Sequence, residues 1–286
     1  MANLEVTRAK RLDQKVVELF PMLSRAFAAK LIAEGKIRVN DEVEVKPGYK
    51  LRTADTVTVE YSPAEEVSVP EIELEILYED DNCIVINKPV GVLSHSKGAY
   101  NPEATVATWL RSRLHGLAGE RGGIVHRLDR ATSGVMICAK NPEALSWLQK
   151  QFSQRRVKKT YNAVIRGKLS PEAAVIDMPI ERNPKAPATF RVGLQGKHAI
   201  TKYDALEVGN NYSLVKLQPE TGRTHQLRVH LAHLGHPIIG DTFYQGEPAE
   251  RLYLHAVSLE VTLPTSHERK VFETSLPAVF RQKVKL

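Results

Sequence analysis

Gly122-Gly123-Ile124-Val125-His126-Arg127-Leu128-Asp129-Arg130-Ala131-Thr132-Ser133-Gly134 is the stretch that decides the reading of this chain. An apolar strand enters it, and a second apolar run, Val135 to Ala139, leaves it. Between them lies a polar loop with one carboxylate, Asp129, among His126, Arg127 and Arg130. Nearby cations favour the charged form of a carboxylate. Such a group is a poor proton donor but a good nucleophile or electrostatic stabiliser. The same residues also suit a salt-bridged loop aspartate that only holds a turn, and the stretch alone leaves both readings open.

Working outward, strand-like runs dominate. Cys83 to Asn87, Gly134 to Ala139, Thr160 to Arg166, Ile200 to Glu207, Tyr212 to Gln218 and Ser258 to Leu263 read as strands, and Thr105 to Leu114 and Pro142 to Phe152 as helices. Many strands with intervening helices predict an α+β domain around a mixed, mainly antiparallel sheet flanked by helices. Two more clusters carry chemistry. Glu220-Thr221-Gly222-Arg223-Thr224-His225-Gln226-Leu227-Arg228-Val229-His230 runs into an amphipathic helix with Leu227, Leu231 and Leu234 on one side. Its arginines suit phosphate or carboxylate partners. A metal site on His225, His230 and His233 is disfavoured, because no acidic ligand is interleaved. Lys158-Lys159-Thr160-Tyr161 places a tyrosine at a strand start, where it can stack on a base, act in proton transfer, or simply pack.

The first 60 residues form a separate module by pattern. Leu12, Val16, Leu19 and Phe20 recur at helical spacing up to Pro21. Ser24 can cap a second helix bearing Phe27, Leu31 and Ile32, with Gly35 just past its end. Lys36 to Val39 and Glu42 to Val45 then read as a hairpin around Asn40-Asp41, and Thr56 to Glu60 as a closing strand. Prolines and acids mark a linker. The expected division is 1–62 as a small helix-and-hairpin domain, 63–75 as an acidic linker and 76–286 as the main domain. The basic C-terminus, Arg281 to Leu286, is expected to fray.

Charge sharpens the picture. Residues 61–81 carry 8 acids and no base, whereas residues 82–286 carry 29 bases against 16 acids. A body this basic suits a polyanion, whose neutralised phosphates release counterions. No apolar run approaches the roughly 18 residues of a membrane span, and the N-terminal residues lack the pattern of a secretory signal. Cys83 and Cys138 sit in apolar runs and read as buried free thiols, which fits a reducing cytoplasm.

The three clusters, in this order, resemble the motifs of the RluA-type pseudouridine synthases. Asn87-Lys88-Pro89-Val90-Gly91-Val92, Gly235-His236-Pro237-Ile238-Ile239-Gly240-Asp241 and Leu254-His255-Ala256 extend the match over roughly residues 72–265. Leu93-Ser94-His95-Ser96 departs from the turn common in that family, which leaves the role of His95 open. Arg11-Leu12-Asp13, Ser24-Arg25, Lys30-Leu31-Ile32, Gly35-Lys36-Ile37 and Val39-Asn40 resemble the alpha-L RNA-binding module.

The resemblance implies an isomerase that converts uridine to pseudouridine in structured RNA without cofactor or metal. It implies Asp129 as the catalytic carboxylate and Arg228 as its ion-pair partner, with Arg223 second for that role. Tyr161 would stack on the flipped base, and Arg127 would fill the gap that base leaves. His126, Arg130, His225, Gln226 and Lys88 join Arg127 and Arg223 as expected substrate contacts. In the module, Arg11, Arg25, Lys30 and Lys36 would face phosphate. Large-subunit ribosomal RNA is the expected target and transfer RNA the alternative. A uracil-releasing glycosylase and a non-catalytic RNA-binding factor are the competing functions. A cytoplasmic monomer is expected.

Overall fold

The strand that leaves the Asp129 loop, Ser133–Ala139, is buried at every position, as a continuous apolar run covered on both faces should be. It pairs antiparallel with Cys83–Lys88, from Cys83 opposite Ala139 to Lys88 opposite Gly134. On its other edge it runs parallel to Leu254–Thr262, with His255 opposite Ser133 and Ala256 opposite Gly134. These three strands lie within a nine-stranded sheet in the computed structural model, which describes residues 2–5 (backbone only), 10–20, 23, 25–60, 70–96, 103–117 and 121–286. The sheet order is Ala173–Asp177, Ile200–Val208, Tyr212–Pro219, Lys158–Arg166, Leu254–Thr262, Ser133–Ala139, Cys83–Lys88 and Glu75–Glu79, with Arg269–Glu273 also paired to Leu254–Thr262. Apart from the parallel junction, the pairings are antiparallel. The α+β class with a mixed, mainly antiparallel sheet is therefore as the sequence pattern requires.

Helices cover this sheet where apolar stripes demand it. Pro142–Ser153 starts at Asn141, whose side chain accepts from the Ala144 N–H at 2.9 Å, the arrangement expected of an N-cap before proline. Ala144 and Leu148 pack with Val85, Val135, Ile137, Leu259 and Val261. A second cluster gathers Val164, Leu217, Leu227, Leu231, Ile239, Leu254, Phe280 and Val284. The last two correct the expected fraying. The C-terminal residues form the helix Ala278–Val284, and Phe280 lies ring to ring with Tyr253 at 5.1 Å. Thr105 to Leu114 was expected as one helix; it is the short helix Val106–Leu110 followed by a tighter turn, Arg111–Arg113. Glu75, expected in the linker, begins a strand.

By spatial contacts the chain divides into two compact units. One comprises Met1–Ile72 with His95–Thr108, and the other Glu73–Ser94 with Trp109–Leu286. In the first unit the helices Leu12–Leu19 and Arg25–Ala33 precede the strands Ile37–Val39 and Glu42–Val43. Leu12, Val16, Leu31, Ile32, Ile37, Val57 and Val59 form its core. Asn40 and Asp41 have φ of 49° and 66°, the left-handed pair that a tight hairpin turn needs. The cap expected at Ser24, the stop expected at Pro21 and linker residues 61–69 lie outside the described residues. Among the described residues no helix is long and apolar enough to cross a membrane.

One glycine makes the parallel junction possible. Gly134 has φ of +117°, and a Cβ there would stand 2.2 Å from the Ala256 carbonyl oxygen. Gly134→Ala is therefore expected to destabilise the main unit by about 1–3 kcal/mol through overpacking, with backbone strain added. A thermal melt of the purified variant checks this, and an unchanged midpoint would show that the junction tolerates a side chain.

Candidate active site

The Asp129 loop closes a cleft of about 470 Å³ lined by residues 125–129, Lys159, Tyr161 and residues 219–228, with Phe152, Arg155 and Leu254 among the rest. The three sequence clusters thus meet in one place, although they are far apart in the chain. The loop is tied from below. The Thr132 N–H donates to the Asp129 carbonyl at 3.0 Å. The Ser94 hydroxyl donates to the Leu128 carbonyl at 2.8 Å and accepts from the Leu128 N–H at 3.1 Å.

Asp129 is held by two arms, both on Oδ2. Arg228 Nη1 donates to it at 3.4 Å, and His225 Nε2 lies 3.7 Å away. Each arm has its own anchor. Asp241, whose side chain has no exposure, accepts from Arg228 Nε and Nη2 at 2.7 Å each. That is the bidentate fork geometry in which charge-assisted hydrogen bonds are strongest. Burial opposes the charge of Arg228, but Asp241 and then Asp129 outweigh it, so the guanidinium pKa is raised. On the other arm, the Tyr244 hydroxyl lies 2.7 Å from His225 Nδ1 and accepts from the Phe190 N–H at 3.0 Å. Burial raises the Tyr244 phenol, which keeps it protonated beside Nδ1. Burial also lowers the pKa of His225, against the pull of Asp129. His225 also adopts φ of +56° just before the helix Gln226–His233, and strain at a non-glycine residue is typical of functional sites.

The other expected substrate contacts divide. Arg127 and Arg223 line the cleft, and Arg223 Nε also donates to the His198 carbonyl at 2.9 Å. Tyr161 lines it too, with its phenol pushed up by burial and then by the charge of Asp129. Burial lowers Lys159, another lining residue, to about 8. His126 lines the cleft but is also built into the fold. Its Nε2 accepts from the Ile137 N–H at 3.1 Å, and its ring stacks on Phe152 at 4.6 Å. Burial, then Lys159, lowers its pKa to about 3.

Gln226 spends its amide on the protein. Its Oε1 accepts from the Thr221 hydroxyl and the Arg223 N–H, and its Nε2 donates to the Ile200 carbonyl and the Thr201 hydroxyl. Lys88 is fully buried beneath the loop and donates to the Pro89 and Val92 carbonyls at 2.9 and 2.8 Å. Burial, against the attraction of Asp129, lowers it to about 8. Arg130 is exposed, and Lys88, Arg130 and His95 are not among the lining residues. The helix Gln226–His233 is not amphipathic, because Arg228 and His230 are buried alongside Leu227 and Leu231. His230 bonds to Thr201 and Met178. Among the described residues no group of three acidic, histidine or cysteine side chains is placed to hold a metal ion.

In the first unit, Arg11 and Arg25 both bind the Asp13 carboxylate, with contacts of 3.0–3.2 Å. Lys30 pairs with Glu34 at 3.6 Å, and Lys36 is exposed. Asp241, Tyr244 and Ser94 are the residues that sequence reasoning missed as site residues. The run Gly235 to Asp241 contained one of them, but nothing in it announced a partner for Arg228.

Comparison with known proteins agrees with this geometry. The RNA pseudouridylate synthase family profile matches residues 82–233, and the S4 domain profile matches residues 10–57. An uncharacterized RNA pseudouridine synthase from Aquifex aeolicus is 38% identical over 290 residues, covering 95% of this chain and 92% of that protein. The ribosomal large subunit pseudouridine synthase D of Vibrio cholerae is 37% identical, covering 94% and 88%. Human RNA pseudouridylate synthase domain containing 1 superposes with a TM-score of 0.60 at 33% identity, over 73% of this chain and 86% of that one. The chain belongs to the RNA pseudouridylate synthase family and carries an S4 RNA-binding domain. It is an isomerase of uridine in RNA, as the resemblance of its motifs implied.

Two predictions follow from the geometry of the cleft. Asp241→Asn leaves a buried Arg228 without its counter-charge and frees it to shift. Misplacement by about 1 Å costs on the order of 100-fold in rate, so single-turnover pseudouridine formation is expected to fall by about that factor. An unchanged rate would show that Arg228 is positioned by other means. The second concerns pH. The His126 pKa is about 3 in the folded chain against an ordinary 6.5. Between those values the unfolded chain binds a proton that the folded chain does not, so stability falls as pH drops through that window. Melts from pH 6.5 to 4 are expected to show this slope, and His126→Gln should make it shallower.

Proposed function

We propose that this isomerase acts on uridines of large-subunit ribosomal RNA, in the cytoplasm, with Asp129 as its catalytic carboxylate. The observation that carries the catalytic assignment is the cleft in which two anchored arms approach Asp129 on Oδ2. The target follows from the relatives named ribosomal large subunit pseudouridine synthase D, which match along nearly the whole chain. The cleft volume is in the range of small-ligand sites, about 300–1,000 Å³, and suits one extruded nucleotide.

In the reaction the bond from ribose C1′ to uracil N1 breaks, the base turns, C5 bonds to C1′, and the C5 proton leaves. Positive charge develops on the sugar and negative charge on the departing base. Asp129 either attacks C1′, as a retaining glycosidase nucleophile does, or removes the C2′ proton to give a glycal. In both routes a fixed carboxylate stabilises the sugar cation. Tyr161 stacks on the flipped base and donates a hydrogen bond, because its raised pKa keeps the phenol protonated. Arg127 occupies the gap in the RNA, offsetting part of the few kcal/mol that extrusion costs. Arg223, with Lys159 beside it in the cleft wall, contacts phosphate or uracil oxygens. Residues 1–62 act as the RNA-binding module, followed by an acidic segment and then by the catalytic domain, whose first strand is Glu75–Glu79. Lys36 is the module cation with least commitment to a neighbouring acid.

Asp129→Asn tests the assignment. It is expected to abolish pseudouridine formation on large-subunit ribosomal RNA, read by chemical mapping, while RNA affinity stays within about twofold of the parent. A variant that still isomerises at the normal rate rejects Asp129 as the catalytic group. Release of free uracil by the parent enzyme would instead favour a glycosylase.

A further inference from the structure

Asp241 and the short turn that follows it carry three residues beside the two arms. Asp241 clamps Arg228, Tyr244 holds His225, and Phe243 between them faces neither task. Phe243 is 56% exposed. Among the described residues it is the single exposed aromatic side chain; the other large exposed apolar residues are aliphatic. Scattered exposed aliphatics need no explanation. A phenyl ring at this place does, because it stands beside the arms that grip Asp129. The Arg228 guanidinium lies over the ring, 5.5 Å from its centroid, and the His225 ring is 6.4 Å away.

We propose that Phe243 is a stacking platform for a nucleobase adjacent to the uridine that enters the cleft. This rests on the assignment of Asp129 as the reacting group, since it is that site which brings RNA to the ring. The guanidinium lies over the phenyl ring, and more than half of the residue's surface stays open to a base. A base, the ring and the buried cation then form one stack, in which the cation–π contact on the inner side is already made. A neighbour of the target that stacks here is held out of its normal helical partner's reach, which favours opening of the RNA beside the extruded nucleotide. Aromatic stacking tolerates any base, because every base has a π-face. The platform therefore contributes affinity and position, not sequence identity.

The test uses the full chain and a synthetic stem-loop RNA around a uridine that the enzyme converts, together with two versions in which the nucleotide 5′ or 3′ of that uridine is abasic. Phe243→Ala is expected to weaken binding of the intact stem-loop roughly tenfold, with Phe243→Tyr near the parent and the melting temperature of both unchanged. On one of the two abasic RNAs the parent and Phe243→Ala should bind alike. Equal binding of the intact RNA by parent and Phe243→Ala overturns the proposal. So does an alanine penalty that persists in full on both abasic RNAs, since the ring would then touch something other than a flanking base. These are affinity measurements, so they stay distinct from the Asp129 assignment, which is decided by product formation in Asp129→Asn.

Discussion

The fork between Asp241 and Arg228 is the interaction around which the cleft is organised. Both partners are removed from water, Asp241 entirely and Arg228 nearly so. Taking two charges into the interior is costly, and their attraction repays this only when the geometry is good and the remaining donors are used. Here two hydrogen bonds of 2.7 Å satisfy one edge of the guanidinium, and Nη1 is left to reach Asp129 at 3.4 Å. The rings of Phe243 and Tyr244 lie 5.5 and 5.1 Å from the guanidinium carbon. Such a pair contributes position more than stability. It sets where the single free edge of a cation points, and so where a carboxylate can rest.

Around that pair, burial drives the other titratable groups toward their neutral forms. His126 and His225 are lowered, Tyr161 and Tyr244 are raised, and Lys159 is lowered to about 8. The carboxylate and guanidinium therefore act in partly desolvated surroundings, among the further cations Arg127, Arg155, Lys159 and Arg223 of the cleft wall. In such a place electrostatic stabilisation of a developing sugar cation is worth far more than in water. The same desolvation accounts for the bonds that Gln226 and Lys88 make within the protein. Each is surrounded by backbone groups that would otherwise be buried unsatisfied, and each is spent on them.

Much of this was legible in the sequence, for physical reasons that differ by residue. The strands flanking Asp129 were readable because Val135 to Ala139 is an unbroken apolar run and the loop before it is polar. Asp129, Arg228, Tyr161, Arg127 and Arg223 meet at one cleft, as their motif order implied. What stayed hidden depends on long-range contact. Asp241 looked like a turn residue, and only the fold brings it to Arg228. Glu75–Glu79, Ala173–Asp177 and Arg269–Glu273 are half-exposed edge or outer strands whose mixed composition gives no clean alternation. The C-terminal helix was hidden by its basic residues, Arg281 and Lys283, beside which only Phe280 and Val284 are buried. Arg11 and Arg25 read as phosphate ligands because local charge does not reveal that Asp13 already occupies them both.

The parallel pairing of His255 and Ala256 with Ser133 and Gly134 has a bearing on how the protein comes into being. It joins segments more than a hundred residues apart, and the Asp129–Arg228 contact spans 99 positions. Contacts of that separation pay a large loop-closure entropy before they are rewarded, and they form late. The module within residues 10–60 closes over short separations. During synthesis it is complete while the strand Leu254–Thr262 and the helix Ala278–Val284 are still unmade. A nascent chain thus acquires its RNA-binding fold well before it has a catalytic cleft, because the core on which that cleft is built also needs Leu254, Phe280 and Val284.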